Sequence, residues 1–301
     1  MKKIFLSGGS GFAGRNIIEQ LRGVYAIDAP GHRDLPLEDA SKADAFFADR
    51  QYDAIIHTAV KPYHRMAEDT EGVFAVNMAM YENLKKQVAA GRAGKMIVTG
   101  TGSEYSTDAY KPDMTEEYFG QNIPKDAGTL SRFKMAEDIE KTDLPVYNLR
   151  IFGLFGKYEK YDMRFISSNI LRQLFDLPMV MHQDKRFSFL YIDDLMSVLK
   201  IFIERTPKLK TYNTVPDEKV LLSDVLRLIR DAAGVPDYPI EVLNAGLGAE
   251  YTGDNTRLRN EFPDVRFTPM ADAVRKLYDY YKQNLGAFSR EALFADSLAQ
   301  K

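Results

Sequence analysis

Three glycines near the start of the chain, Gly8, Gly11 and Gly14, stand between a short apolar run and a stretch with helical character. Few folds use that arrangement. Lys2-Lys3-Ile4-Phe5-Leu6-Ser7 reads as a buried strand, and Arg15 to Leu21 reads as a helix. A strand that enters a glycine turn and leaves as a helix is the setting in which such a motif cradles phosphates. Gly8 can take backbone angles closed to a side chain. Gly11 lets the backbone approach a pyrophosphate, and Gly14 lets the helix pack closely on the strand. The N–H groups and the positive dipole end of the helix then face the phosphates. The spacing is G-x-x-G-x-x-G, and it supports a dinucleotide site built from Gly8, Ser10, Gly11, Phe12 and Gly14.

From there to Arg150 strand and helix alternate. Val24 to Ile27, Ala54 to Val60, Lys95 to Thr99 and Val146 to Arg150 are largely apolar strands. Ser41 to Arg50, Val73 to Ala90 and Ser131 to Thr142 have helical spacing between them. Strands apolar on both faces belong to parallel sheets covered by helices. The alternation predicts an α/β fold, a Rossmann-type doubly wound parallel sheet with right-handed crossovers.

Beyond Arg150 the order becomes irregular. Helices are predicted over 165–174, 194–204, 223–233 (capped by Ser223) and 271–281, and strands over 180–181, 187–192, 212–215 and 240–243. Residues 1–150 therefore read as a cofactor-binding domain to which later segments return. Residues 151–301 read as a smaller α/β substrate-binding lobe, with 286–301 a short helix or loose tail. No glycine- or proline-rich linker lies near 150, so the cleft between the two parts is the predicted site.

Composition removes several classes. The chain has 301 residues and no cysteine, which excludes disulfides, thiolate nucleophiles and cysteine–metal sites. A net charge of −3 gives no electrostatic case for nucleic acid. No apolar run approaches the ~20 residues of a membrane helix, and the N-terminus does not read as a secretory signal. The expectation is a cytoplasmic protein that binds neither membrane nor nucleic acid and holds no metal.

Ligands of open parallel sheets sit at the carboxyl ends of the strands. Thr101 and Ser103, just after the Lys95–Thr99 strand, are well placed to act. Asp28 ends the second strand, where an acidic side chain suits the adenosine ribose of NAD and a basic one suits the 2′-phosphate of NADP. Arg15, His32 and Arg33 pull the other way, and the balance leans slightly to NADP. His57 reads as a strand-end residue near the cofactor. Residues 61–70, with Tyr63, His64 and Arg65, read as a loop over the site.

Taken together these segments resemble the extended short-chain dehydrogenases/reductases, the NAD-dependent epimerase/dehydratase family that acts on nucleotide sugars. Gly8-x-x-Gly11-Phe12-x-Gly14 is similar to its cofactor loop, and Asp53 to Ala59 to its D-x-x-x-H-x-A strand. Thr101-Gly102-Ser103-Glu104-Tyr105 stands where the family has its strand-end Ser/Thr. Arg150 to Gly156 resembles the R-x-x-N-x-x-G segment, and Phe189 to Leu195 the F-x-Y-V-D-D-L stretch. The resemblance implies NAD(P) held by the glycine loop with Thr58, Ala59 and Asn77. It also implies a nucleoside diphosphate sugar in the cleft, a role in surface-polysaccharide sugar synthesis, and a homodimer joined by the helices at 73–90 and 131–142.

The resemblance departs at the family's Tyr-x-x-x-Lys pair. In one register Leu130 replaces the tyrosine and Lys134 keeps the lysine. In the other, Gly128 and Arg132 replace both. The first register is preferred, so Lys134 is expected to hold the cofactor ribose. Thr101 would touch the sugar hydroxyl, and Glu104, Tyr105 or Asp126 would supply the missing proton function. Gly153 replaces a substrate-binding asparagine. Arg186, offset by one from the family's pyrophosphate arginine, joins Arg172 and Arg259 as diphosphate candidates. The main reading is an epimerase or a reductase/dehydratase. The alternatives are an inactive member that binds cofactor or nucleotide sugar and acts through a partner, and a redox enzyme for a non-nucleotide carbonyl.

Overall fold

A computed structural model of the chain describes residues 1–61 and 72–295. The loop expected over the site therefore lies, beyond Lys61, outside the described residues. The order is β1 (Lys3–Ser7), α1 (Phe12–Leu21), β2 (Ala26–Asp28), α2 (Ala40–Phe47), β3 (Ala54–His57), α3 (Val73–Ala89), β4 (Met96–Thr101), α4 (Ala127–Lys141) and β5 (Val146–Ile151). Then follow β6 (Gly153–Phe155), α5 (Phe165–Leu174), β7 (Met179–Asp184), β8 (Arg186–Phe187), β9 (Phe189–Tyr191), α6 (Ile192–Glu204), β10 (Thr211–Asn213), β11 (Val220–Leu221), α7 (Leu222–Ala233), β12 (Ile240–Leu247), α8 (Thr256–Glu261), α9 (Met270–Gln283) and α10 (Ala292–Ala295).

Six strands form one parallel sheet in the order β2-β1-β3-β4-β5-β10. The alternation along β1 explains why it sits near the centre. Ile4 and Leu6 join one apolar layer with Ala54, Ile56 and Ile97, against Ile17 and Leu21 of α1 and Leu195 and Leu199 of α6. Phe5 points the other way, into a layer with Ile55, Met96, Phe47, Tyr81, Leu84 and Met135 from α2, α3 and α4. Successive side chains of a strand face opposite sides, so a strand of this composition needs helices on both faces.

The last strand of the sheet comes from far along the chain. β10 pairs with β5 from Thr211↔Asn148 to Asn213↔Arg150. The segment between β5 and β10 carries α5, α6 and the four strands β6 to β9, and α6 packs on the same sheet face as α1. The remaining strands pair two by two, β6 with β9, β8 with β11 and β7 with β12. Ser223 does not cap α7. The helix starts one residue earlier, Asp224 accepts from the Leu221 N–H at 3.3 Å, and the Ser223 hydroxyl donates to Asp184 at 2.6 Å.

The ends of β4, β5 and β10 are tied by a buried polar network. Glu104 Oε1 accepts from the Thr101 N–H at 2.8 Å, closing a capping box on the 3-10 turn Gly102–Tyr105. Its Oε2 accepts from Asn148 Nδ2 at 2.9 Å and Arg150 Nε at 2.7 Å. Arg150 also donates to the Tyr105 hydroxyl at 2.7 Å, and that hydroxyl donates to Asn213 at 2.7 Å.

Candidate active site

The glycine turn after β1 has the geometry its sequence predicts. Gly8 takes φ +77°, and a Cβ there would lie 2.7 Å from Thr58 Oγ1 and 2.8 Å from the Ala59 nitrogen. Gly11 donates to the Gly8 carbonyl at 3.0 Å. A Cβ on Gly14 would collide with that carbonyl and lie 2.7 Å from Gly9 Cα, so only glycine lets α1 start against the turn. Gly11 is the N-cap of α1, with no side-chain capping bond, and Ser10 and Gly11 are exposed. The first N–H groups of a helix have no intrahelical partner, and here they open outward beside a cradle that a side chain would fill. These residues fit a pyrophosphate.

Around the cradle the polar groups are ordered. Ser7 Oγ accepts from the Thr58 N–H at 3.2 Å and the Ala59 N–H at 3.3 Å, and Thr58 Oγ1 donates to the Ser7 carbonyl at 2.7 Å. The Ser7 proton is thereby directed to His57 Nδ1, 2.7 Å away. His57 is fully buried, and desolvation, then the charge of Arg132, depress its pKa to about 3. It is a neutral brace between β1 and β3, and its Nε2 has no hydrogen-bond partner among the described residues. Asn77 of α3 accepts from the Lys61 N–H at 2.8 Å and donates to Ser131 of α4 at 3.3 Å, fixing the chain after β3. Asp28, at the end of β2, accepts from the Tyr52 hydroxyl at 2.5 Å. Arg33 is exposed, with no acidic partner among the described residues, whereas Arg15 stacks on the Tyr158 ring at 3.8 Å.

Thr101 and Ser103 stand at the carboxyl end of β4. Thr101 Oγ1 accepts from the Ser103 N–H at 3.2 Å, which leaves its own proton to donate. Aromatic rings close one side of this corner. Tyr251 packs on Phe152 (4.8 Å between centroids), Tyr110 (4.6 Å) and Phe187 (5.5 Å). Three glycines make room for them. A Cβ on Gly102 would lie 2.7 Å from the Tyr251 hydroxyl and from Phe152, one on Gly253 2.7 Å from Phe152, and one on Gly153 2.8 Å from Phe189. A side chain at position 153 would run into the Phe189 ring.

Several predicted site residues lie elsewhere or are already engaged. Lys134 bonds Glu137 at 2.8 Å on a half-exposed side of α4. Two residues back, and thus about 200° around the helix, Arg132 donates to the Thr99 carbonyl at 2.7 Å at the end of β4. It is Gly128 and Arg132 that face the sheet. Glu104 has both oxygens committed to Thr101, Asn148 and Arg150, and is no proton donor. Tyr105 is 1% exposed with its hydroxyl locked between Arg150 and Asn213, and burial pushes its pKa far above 10. Asp126 caps α4 by accepting from the Thr129 N–H at 2.9 Å. Arg172 is buried, donating to the carbonyls of Pro178 at 2.6 Å and Leu293 at 3.2 Å. Arg259 of α8 pairs with Asp217. Arg186 stays exposed on β8, with no acidic partner among the described residues, and its carbonyl accepts from the Tyr251 N–H at 2.9 Å. Among the described residues no cluster of His, Asp and Glu is placed to hold a metal, and no helix is long and apolar enough to cross a membrane.

A glycine-turned parallel sheet with hydroxyls at the end of β4 is the architecture of a dinucleotide-dependent α/β protein. The profile of the NAD dependent epimerase/dehydratase family matches residues 4–214, and the chain belongs to that family. Solved structures agree on the fold. A dTDP-glucose 4,6-dehydratase from Bacillus anthracis, solved with NAD, is 16% identical with a TM-score of 0.78, covering 94% of this chain and 97% of its own. A GDP-D-glycero-L-gluco-heptose synthase from Campylobacter jejuni, solved with NADPH, is 16% identical with a TM-score of 0.79, covering 93% and 98%. A UDP-glucuronic acid 4-epimerase from Bacillus cereus, solved with UDP-glucuronic acid and NAD, is 18% identical with a TM-score of 0.75, covering 94% and 99%. No curated protein matches the chain by sequence.

Arg132 and Tyr251 were not singled out as site residues from sequence. For Arg132 the signal was there, because Gly128 and Arg132 lie four apart on the face of α4 that meets the sheet. For Tyr251 nothing local distinguishes it, since its place beside Gly102 is made by β8 and the chain after β12.

Proposed function

We propose that the protein is an NAD(P)-dependent enzyme that modifies the sugar of a nucleoside diphosphate sugar, by epimerisation or by reduction or dehydration, in the synthesis of a surface-polysaccharide sugar. The observation that carries this is the cradle at Gly8, Gly11 and Gly14, where a Cβ on Gly8 or Gly14 would strike backbone and the α1 N-terminus stays open. The backbone of Ser10, Gly11 and Phe12 would hold the pyrophosphate. Asp28 would take the adenosine ribose, Arg33 gives the slight lean to NADP, and Thr58, Ala59 and Asn77 would line the middle of the dinucleotide. When bound, the nicotinamide supplies hydride exchange at a sugar carbon.

The chain's own residues orient the sugar. Thr101 donates its free proton to the reacting oxygen, and Ser103 supports a neighbouring hydroxyl. Arg132 adds fixed positive charge at the end of β4, which favours an oxygen gaining negative charge. Arg186 takes the diphosphate. Supporting this, the family match spans the glycine turn, both hydroxyls and Arg132. The same reading makes the protein a cytoplasmic homodimer joined by α3 and α4, which light scattering of the purified protein checks.

The test is calorimetric titration with NAD, NADP and a panel of UDP-, GDP-, CDP- and dTDP-sugars, followed by NMR of the incubated best pair. Dinucleotide binding with a changed sugar is the expected result. Absence of dinucleotide binding sinks the reading.

A further inference from the structure

We propose that Tyr251 is the phenol that exchanges a proton with the reacting sugar oxygen. This rests on the reading above, that the cleft holds a nucleotide sugar beside a nicotinamide dinucleotide. Hydride exchange at a sugar carbon puts a proton on its oxygen or takes one off, and a positioned side chain must carry it. Neither register puts a proton-transferring side chain at the tyrosine position of α4. Gly128, on its sheet-facing side, has no side chain, Leu130 has no exchangeable proton, and Arg132 keeps its proton at any working pH.

The neighbouring groups serve the fold. The Tyr105 hydroxyl is held between Arg150 and Asn213. His57 is buried behind Ser7. Glu104 is sealed into its ion pair. The Tyr118 hydroxyl donates to the Ala109 carbonyl at 2.7 Å.

Tyr251 differs in position. Its hydroxyl oxygen lies 2.7 Å from where a Cβ on Gly102 would stand, between Thr101 and Ser103 at the carboxyl end of β4. Any residue but glycine at 102 would displace it. The ring is half-buried and held on three sides by Phe152, Tyr110 and Phe187. Its backbone is fixed as well, donating to the Arg186 carbonyl at 2.9 Å and accepting from the Ser188 N–H at 3.1 Å. A phenol so clamped, over the turn that carries both hydroxyls, is preorganised for transfer at one point. In the reducing direction the Tyr251 O–H bond breaks and an O–H bond forms on the sugar oxygen. The carbon gains its hydride from the reduced dinucleotide, and the phenolate recovers a proton from water. Oxidation reverses each change.

Tyr251→Phe tests this, because the ring and its packing survive. The expected result is a kcat lower by about 10²–10⁴-fold, with the dinucleotide Kd unchanged. A Tyr251→Phe protein that keeps pace with an active parent overturns the assignment and leaves the functional reading standing. A parent that binds no dinucleotide overturns both. A second readout needs no turnover. 3-Fluorotyrosine placed at 251 is expected to shift its fluorine resonance when dinucleotide and nucleotide sugar are both bound, while the same label at 105 stays still. A bound complex that leaves the label at 251 unmoved overturns the assignment even where kcat falls. With an active parent assayed in the reducing direction, the alkaline limb of the pH–rate profile, where the phenol loses its proton, also moves to lower pH with the fluorinated phenol.

Discussion

Arg150 Nε meets Glu104 Oε2 at 2.7 Å across β4 and β5, with the two side chains 0% and 1% exposed. Two ions out of water cost several kcal/mol each unless they are paired and hydrogen-bonded. Here Thr101, Asn148 and Tyr105 hydrogen-bond the pair, and Arg150 Nη2 has no partner among the described residues. Removing one partner strands the other, so Arg150→Met is expected to lose about 3–5 kcal/mol of stability. Urea unfolding followed by circular dichroism measures it. A loss below about 1 kcal/mol would mean that the pair is not desolvated as described.

Arg132 and Lys134 separate the two registers of the lost catalytic pair. Lys134→Ala removes one half-exposed (i, i+3) contact to Glu137 and is expected to cost about 0.5 kcal/mol or less, with dinucleotide affinity unchanged. Arg132→Ala removes the bond to the Thr99 carbonyl and the positive charge beside β4, so affinity and kcat should both fall. Fluorescence titration of NADPH against both variants decides it. The reverse ranking would restore the lysine to the site.

Gly14→Ala places a methyl group against the Gly8 carbonyl and 2.7 Å from Gly9 Cα. Both are backbone, so the turn or the helix must move, at about 1–3 kcal/mol. The variant should fold with a lower thermal midpoint and bind NAD and NADP far more weakly. Binding equal to the parent would show that the cradle is not where the pyrophosphate rests.

Two buried groups pull the pH dependence of stability in opposite directions. His57 titrates near 3 in the fold and at roughly 6.5 in the unfolded chain. Below roughly 6.5 the unfolded chain takes a proton that the fold refuses. Stability therefore drops as pH falls toward 3, by up to about 1.4 kcal/mol per pH unit. His57→Asn should flatten that limb in melts run from neutral to acid pH.

Glu159 is pushed up to about 7 by burial, and Ser167 donates a hydrogen bond to it. Between its ordinary value of 4.5 and 7 the fold keeps a proton that the unfolded chain has released. Its contribution is full below 4.5 and is lost as pH rises through 7. The groups facing it are Arg164, Ser167 and Tyr281. Glu159→Gln keeps an acceptor for Ser167 and should raise the thermal midpoint at pH 8 while leaving it little changed at pH 4.5. An equal shift at both pH values would rule out titration as the cause.

What the sequence makes legible follows the range of the physics. The glycine turn, the apolar strand β1 and the length of α5 depend on neighbours a few residues away and are where the pattern predicts, while β3 starts at Ala54 as expected but ends at His57, three residues short of Val60. The fate of Glu104 and Tyr105 depends on Arg150, 46 residues from one, and Asn213, 108 residues from the other. No local pattern carries that. The register of the lost pair turns on the helix period, which puts position 132 and not 134 toward the sheet. Arg172 and Arg259 carry the right charge, but their partners, Pro178, Leu293 and Asp217, are set by tertiary packing.

The late arrival of β10 sets an order on synthesis. When Arg150 leaves the ribosome, Glu104 and Tyr105 are ready for it but Asn213 does not yet exist, and the outer edge of β5 is an unpaired strand. An exposed strand edge invites pairing with another chain. The nascent protein must carry that open edge through the whole of α5 and α6 before Thr211–Asn213 closes it, so this is the interval in which a chaperone has something to hold.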